Sequence, residues 1–115
     1  MHELAITKQI TEIAIRYGEQ NDASQITDLY LIIGDLSSVI DESVQFYWDI
    51  IAEDTICEGA RLHFERIPGK LQCQKCGHEY TLEENEITYC PQCESCEVRI
   101  IQGKEFQLQS INIEK

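Results

Sequence analysis

The sequence predicts an α+β fold, two helices on a three-stranded mixed sheet with an inserted four-cysteine zinc module, and three observations carry that prediction. Apolar residues recur at helical spacing in two stretches, strand-like apolar runs separate and follow them, and two Cys-x-x-Cys pairs interrupt the later strands. With 115 residues, 43% of them apolar, the chain suits one domain or a small one carrying an inserted module. Its apolar residues are spread in short runs, as in a globular chain rather than a disordered one.

From Met1 to about Tyr17, Ile6, Ile10, Ile13 and Tyr17 recur at helical spacing while Lys8, Glu12 and Arg16 take other faces. This amphipathic helix is expected to end at Gly18, with turn chemistry in Asn21-Asp22-Ala23-Ser24. Ile26 to Ile33 is rich in branched apolar residues, the composition of a central strand covered on both faces. Ser37, Ser38 and Asp41 are candidate N-caps of a second helix, Asp41 being preferred, and Val44, Trp48 and Ile51 line one face of it.

Arg61 to Ile67 alternates at first, Leu62 and Phe64 inward and His63 and Glu65 outward, before Pro68-Gly69 ends the strand. The cysteine module occupies about Leu71 to Arg99. After it, Phe106 and Leu108 alternate with Glu105, Gln107 and Gln109, and a phase shift at Ile111 and Ile113 predicts a bulge or strand end near Ser110. The second helix serves as a crossover between the first two strands, and the strands flanking the module are expected to pair as an antiparallel ribbon. Residues 1–70 and 100–115 thus form one domain, with 71–99 as the insertion.

Nine basic and 21 acidic residues give a formal charge of -12. The few Lys and Arg are scattered, so no basic face for neutralising phosphates is expected and nucleic acid is disfavoured as a partner. Proteins or cations are the expected partners. The longest near-apolar stretch, Leu29 to Ile33, is far short of the roughly 20 residues a spanning helix needs, so no membrane segment is expected. Met1-His2-Glu3-Leu4 carries an acid where a secretory signal carries basic residues, so the chain is expected in the cytoplasm. There, six cysteines read as metal ligands or buried thiols before disulfides.

Cys73-Gln74-Lys75-Cys76 and Cys90-Pro91-Gln92-Cys93 are separated by 13 residues, Gly77 to Tyr89. A two-residue gap lets both thiolates of a pair reach one tetrahedral ion, and Gly77 permits a tight turn with backbone amides facing sulfur. Redox pairs are disfavoured because such a pair usually opens a helix after a strand, whereas these lie in a short polar segment with too little apolar material to fold without a metal. A closed shell of four sulfurs leaves no position for substrate, so the zinc is structural and the protein is not expected to be an enzyme. Cys96 forms an overlapping third Cys-x-x-Cys with Cys93 and competes with Cys90, although the double-turn geometry favours Cys90. His78 is expected in a solvated loop, and Cys57 as a small buried residue.

The amino terminus has its own chemistry. A free terminal amine, the His2 backbone nitrogen and the His2 imidazole can chelate one ion through adjoining small rings, a tetragonal nitrogen set that suits nickel(II) or copper(II). With Met1-His2-Glu3-Leu4-Ala5, Gly34-Asp35-Leu36-Ser37 followed by an acid, Glu58-Gly59-Ala60, the two cysteine pairs and Ile101-x-Gly103-x-Glu105, the whole chain resembles the HypA-type nickel metallochaperones of nickel-iron hydrogenase maturation. Cys96, and Glu94 where glycine is common, depart from that pattern.

That resemblance implies transported Ni(II) bound at Met1 and His2 with Glu3 contributing, and an acid nearby for which Asp41 or Glu42 qualifies, Asp41 preferred. It implies Zn(II) as the resident structural metal, and as partners a nickel-handling GTPase and a hydrogenase large-subunit precursor. A rival from another class is an acidic zinc-ribbon adaptor in transcription or translation, against which stand the charge and the lack of aromatic residues interleaved with basic ones. A metallohydrolase lacks an open zinc site or a defensible Ser-His-Asp arrangement.

Overall fold

The computed structural model describes residues 3–84 and 86–115. Its elements are α1 (Glu3–Gln20), β1 (Gln25–Gly34), α2 (Asp41–Ile51), β2 (Arg61–Ile67), β3 (Lys70–Cys73), β4 (Glu79–Thr81), β5 (Val98–Gln102) and β6 (Phe106–Glu114). They form two three-stranded sheets, ordered β2-β1-β6 and β4-β3-β5. The chain divides into two compact units: unit 1 is Met1–Ile32, Ser38–Glu65 and Gln107–Lys115, and unit 2 is Ile33–Ser37 and Arg66–Phe106.

In unit 1, the buried face of α1 is Thr7, Ile10, Thr11, Ala14 and Gly18 rather than the expected row of Ile6, Ile10, Ile13 and Tyr17. Ile13 and Tyr17 are 50% and 42% exposed. Two threonines can enter the core because each hydroxyl donates to a carbonyl four residues earlier, Thr7 to Glu3 at 2.6 Å and Thr11 to Thr7 at 2.8 Å. Gly18 does not end the helix. A Cβ there would meet Ile56 Cδ1 at 2.6 Å, so glycine serves close packing, and the chain turns instead at Asp22, whose φ is 55°.

Helix α2 buries Val44 and Trp48, and the Trp48 indole donates to the Ala60 carbonyl at 3.3 Å. Asp41 is its first residue and not its cap. Ile40 holds the cap position with extended φ and ψ and no side-chain hydrogen bond, while Asp41 and Glu42 set negative charge in the first turn, where the helix dipole favours it.

The strand β1 is central, as its composition predicts, with Ile26, Leu29, Leu31 and Ile33 all buried. That centrality overturns the expected ribbon between the strands flanking the cysteines, because β2 and β6 lie on opposite edges of β1. The strand with the greatest need for cover obtains ladder partners on both sides. Amide bonds from Ser24 to Glu114 and from Gly34 to Glu105 make β6 antiparallel to β1. β2 runs parallel to it, Asp28 lying beside His63 and the Asp35 amide bonding the Ile67 carbonyl, so the sheet is mixed. In β2, Leu62 and Phe64 are half-buried between exposed neighbours, and in β6 the alternation shifts phase at Ser110 without ending the strand.

Unit 2 is more ordered than a polar metal loop. β3 pairs antiparallel with β4 and β5, placing Leu71 opposite Tyr80 and Ile100, and Cys73 opposite Val98. The unit's buried apolar side chains are Ile33, Leu71, Leu82, Cys73 and Cys90. Three glycines meet here, Gly69 and Gly103 against Leu36 and Gly34 against Gly103. A Cβ at Gly34 would overlap the Gly103 carbonyl, and one at Gly103, whose φ is +124°, would meet Gly69 Cα at 2.9 Å. The Leu36 amide donates to the Gly103 carbonyl at 2.8 Å, and Glu105 Oε1 accepts from the Gly103 amide at 2.7 Å.

Candidate metal centre

Cys73 closes β3 and Cys76 lies in the turn after it, while Cys90 and Cys93 occupy a second turn. The two turns are built alike. In the first, the Cys73 amide donates to the His78 carbonyl and the Gly77 amide to the Cys73 carbonyl; in the second, the Cys90 amide donates to Ser95 and the Glu94 amide to Cys90. Gly77 and Glu94 hold equivalent places, with φ of 78° and 63°. A glycine takes that conformation freely, whereas a residue with a Cβ is strained there.

The four thiol sulfurs all lie within 4.8 Å of one another, with Cys73 and Cys90 buried and Cys76 and Cys93 exposed. Cys73 and Cys93 sulfurs are 3.5 Å apart, and Cys76 and Cys90 sulfurs 3.6 Å. A tetrahedral ion with metal–sulfur bonds of about 2.3 Å sets its sulfurs roughly 3.8 Å apart, so these two close pairs need to part only slightly to hold one. The donor set of four soft sulfurs with backbone amides behind them fits zinc or iron in preference to a hard cation.

Their protonation follows the same geometry. The Cys76 amide, with that of Lys75, draws the Cys73 thiol down to about 6 against the opposing effect of burial. Burial raises Cys90, but the Cys93 and Gln92 amides outweigh it and the thiol is lowered. At Cys76 the His78 amide lowers and burial and the Cys90 sulfur raise, with a net rise. At Cys93 the Ser95 amide is likewise overcome, by the Cys73 sulfur above all, and the thiol is pushed up to about 12. Each close pair thus joins one lowered and one raised thiol sharing a proton, and a divalent ion at the centre would replace both shared protons.

Cys96 lies outside this group, exposed in an open groove of about 400 Å³ with Ile87, Thr88, Tyr89 and Val98. His78 is half-buried with its ring stacked on Tyr80 at 5.9 Å, and contributes its carbonyl to the first turn. Cys57 is fully buried, and burial pushes its thiol up to about 11.

Of the residues expected at nickel, Met1 and His2 lie outside the described residues. Glu3 begins α1, and its Oε2 is buried without a hydrogen-bond partner among the described residues. Asp41 begins α2, and α1 and α2 pack against each other. Sequence reasoning missed one feature of unit 1, the Asp28–His63 pair at 2.7 Å with the Tyr30 ring stacked on His63 at 4.5 Å. Its signal was the outward phase of β2. No helix among the described residues is long and apolar enough to cross a membrane.

Residues 1–113 match the family model described as HypA, hydrogenase/urease nickel incorporation, metallochaperone. The chain is 35% identical over 114 residues to a hydrogenase maturation factor HypA of Dehalococcoides mccartyi, covering 99% of this chain and 95% of that one. To the HypA of Crocosphaera subtropica it is 37% identical over 115 residues, covering 100% and 97%. Its fold matches the solution structure of the Ni metallochaperone HypA from Helicobacter pylori with a TM-score of 0.72 at 23% identity, covering 99% and 98%. A second solution structure of a HypA protein matches with a TM-score of 0.78 at 24% identity, covering 98% and 96%.

Proposed function

This chain belongs to the HypA family of nickel-incorporation metallochaperones, and on that basis we propose that it carries Ni(II) on its amino terminus and delivers it for nickel-iron hydrogenase maturation. The observation that carries this reading is the match of the family model over residues 1–113, from the amino-terminal chelate through both cysteine pairs. Ni(II), the cargo, is held by the Met1 amine, the His2 backbone and imidazole nitrogens and the Glu3 carboxylate, with Asp41 close by. A buried Glu3 oxygen without a hydrogen-bond partner among the described residues supports this, since such an oxygen gains by meeting a cation. A site at a chain end is fixed by few packing contacts, so a docking partner can displace its ligands.

Zn(II) is the resident ion, held by Cys73, Cys76, Cys90 and Cys93. It supplies cross-linking and charge neutralisation in a closed shell and takes no part in catalysis. Residues 1–70 with 100–115 bind nickel, and 71–99 form the zinc module. The carrier works in the cytoplasm with a nickel-handling GTPase and a hydrogenase large-subunit precursor. The relatives' shared description as hydrogenase maturation factors favours this over the adaptor reading.

The test is complementation. In a host lacking its own carrier, wild type should restore nickel to the large subunit and His2→Ala should not. Equal restoration by the two proteins would refute the nickel site, and no restoration by wild type would refute the delivery role.

A further inference from the structure

We propose that the outer face of α2 is the surface on which this carrier docks its protein partner, and that the partner presents an apolar pocket rimmed by Lys and Arg. This rests on the carrier reading above and adds to it the surface and the chemistry of what meets it.

The inward face of α2 is committed to the core through Val44 and Trp48, with Ala52 buried just beyond the helix. Phe46 and Ile50 stand four residues apart on the opposite side, 61% and 57% exposed. At 100° per residue, Phe46 lies about 200° from Val44, so no rotation of the helix buries both rows. The Phe46 ring rests edge-on against Tyr47 at 5.3 Å, which limits its freedom before any partner arrives. An aromatic and an aliphatic anchor, held in water by a rigid helix, have the composition of an interface centre.

The rim has one sign. By helical spacing Glu42 and Asp49 flank the two anchors, and Glu53 follows immediately after the helix; all three are exposed. Between Arg16 and Arg61 the sequence carries ten carboxylates and no Lys, Arg or His, so this stretch neutralises none of its own charge. Such a rim repels nucleic acid and repels the same rim on a second copy. It attracts a basic protein surface and speeds encounter with it. The apolar pair then supplies what charge alone does not, a slow dissociation.

The test measures binding kinetics of the intact, zinc-loaded chain to purified nickel-handling GTPase and to purified large-subunit precursor. Wild type should bind at least one of them, with association slowing as salt rises. Phe46→Ser with Ile50→Ser should weaken that affinity at least about tenfold, mainly through faster dissociation. Asp49→Asn with Glu53→Gln should slow association several-fold and leave dissociation near wild type. A matched pair elsewhere, Glu12→Gln with Glu114→Gln, should keep wild-type association. All four replaced rim and anchor side chains are exposed, so melting and Trp48 emission should stay unchanged and exclude misfolding as the cause. Wild-type binding by the α2 variants would overturn the proposal while leaving the partner reading intact. If neither probe binds wild type, the partner reading fails and the proposal with it. A wild-type dimer abolished by Phe46→Ser would assign the face to a second copy and overturn it as well.

Discussion

Unit 1 and unit 2 hold themselves together by different means. Unit 1 buries Trp48 and the branched side chains of β1 between helices and sheet, so its stability comes from apolar area removed from water. Among the described residues of unit 2 the buried apolar side chains are Ile33, Leu71, Leu82 and the thiols Cys73 and Cys90, with three glycines in a backbone crossing. So small a core supplies on the order of 10 kcal/mol at about 1.5 to 3 kcal/mol per buried side chain, well short of the roughly 1 to 2 kcal/mol per residue that ordering some forty residues of chain costs. The contrast predicts that a metal on the four cysteines supplies the missing cross-linking.

Removing zinc should therefore have the largest effect and separate the two. A structural zinc contributes roughly 10 kcal/mol or more, so Cys73→Ala or a strong chelator should unfold unit 2. Trp48, the chain's sole tryptophan, lies in unit 1 and should keep its buried emission. Exposure of Trp48 at the same chelator concentration that melts unit 2 would collapse the distinction. Cys90→Ala sharpens it: retained zinc and fold would mean that Cys96 has entered the shell.

Next in size is the glycine crossing. Gly34→Ala sets a methyl against the Gly103 carbonyl, and with backbone on both sides nothing flexible can yield. A loss of about 3 kcal/mol or more is expected in chemical denaturation, and a loss below about 1 kcal/mol would show that the backbone gives way.

A smaller effect, of opposite sign, belongs to the second knuckle. Glu94 occupies the left-handed position that Gly77 holds in the first. Glu94→Gly should stabilise unit 2 by up to about 1 kcal/mol and slow zinc loss to a chelator. Faster loss would mean that the Glu94 side chain contributes a contact that outweighs its strain.

The smallest effect tests unit 1. The hydrogen bond from His63, followed by that from Thr27, holds the Asp28 carboxyl below its ordinary 3.8. A lowered carboxylate contributes stability above its unfolded pKa and loses it as pH falls through the lower folded value, so the pair matters only above the acid range. An NMR titration of Asp28 should show its pKa moving up toward 3.8 in His63→Phe. An unchanged value would assign the shift to other neighbours.

The clustering of the four cysteines and the centrality of β1 were legible because both rest on local rules, a two-residue spacing within each pair and a run of branched apolar residues. The face of α1 was misread because Thr7 and Thr11 count as polar until their hydroxyls are seen bonding their own helix. The order β2-β1-β6 was hidden for a related reason. Pairing across an insertion looks local in sequence, while the core's need to cover β1 is decided by the whole sheet. Gly34, Gly69 and Gly103 are far apart in the chain, and no spacing announces that they meet.

The most direct measurement is calorimetric titration of Ni(II) into the untagged chain, His2→Ala, and a chain extended by one glycine before Met1. The terminal amine titrates near 7.7 to 8.0 and imidazole near 6.5, so wild-type affinity should also weaken as pH falls through that range. Both altered chains should lose tight nickel binding while keeping zinc and the Trp48 environment, since both changes leave every described core residue and the four cysteines in place. Unchanged nickel affinity in both would contradict the amino-terminal carrier site.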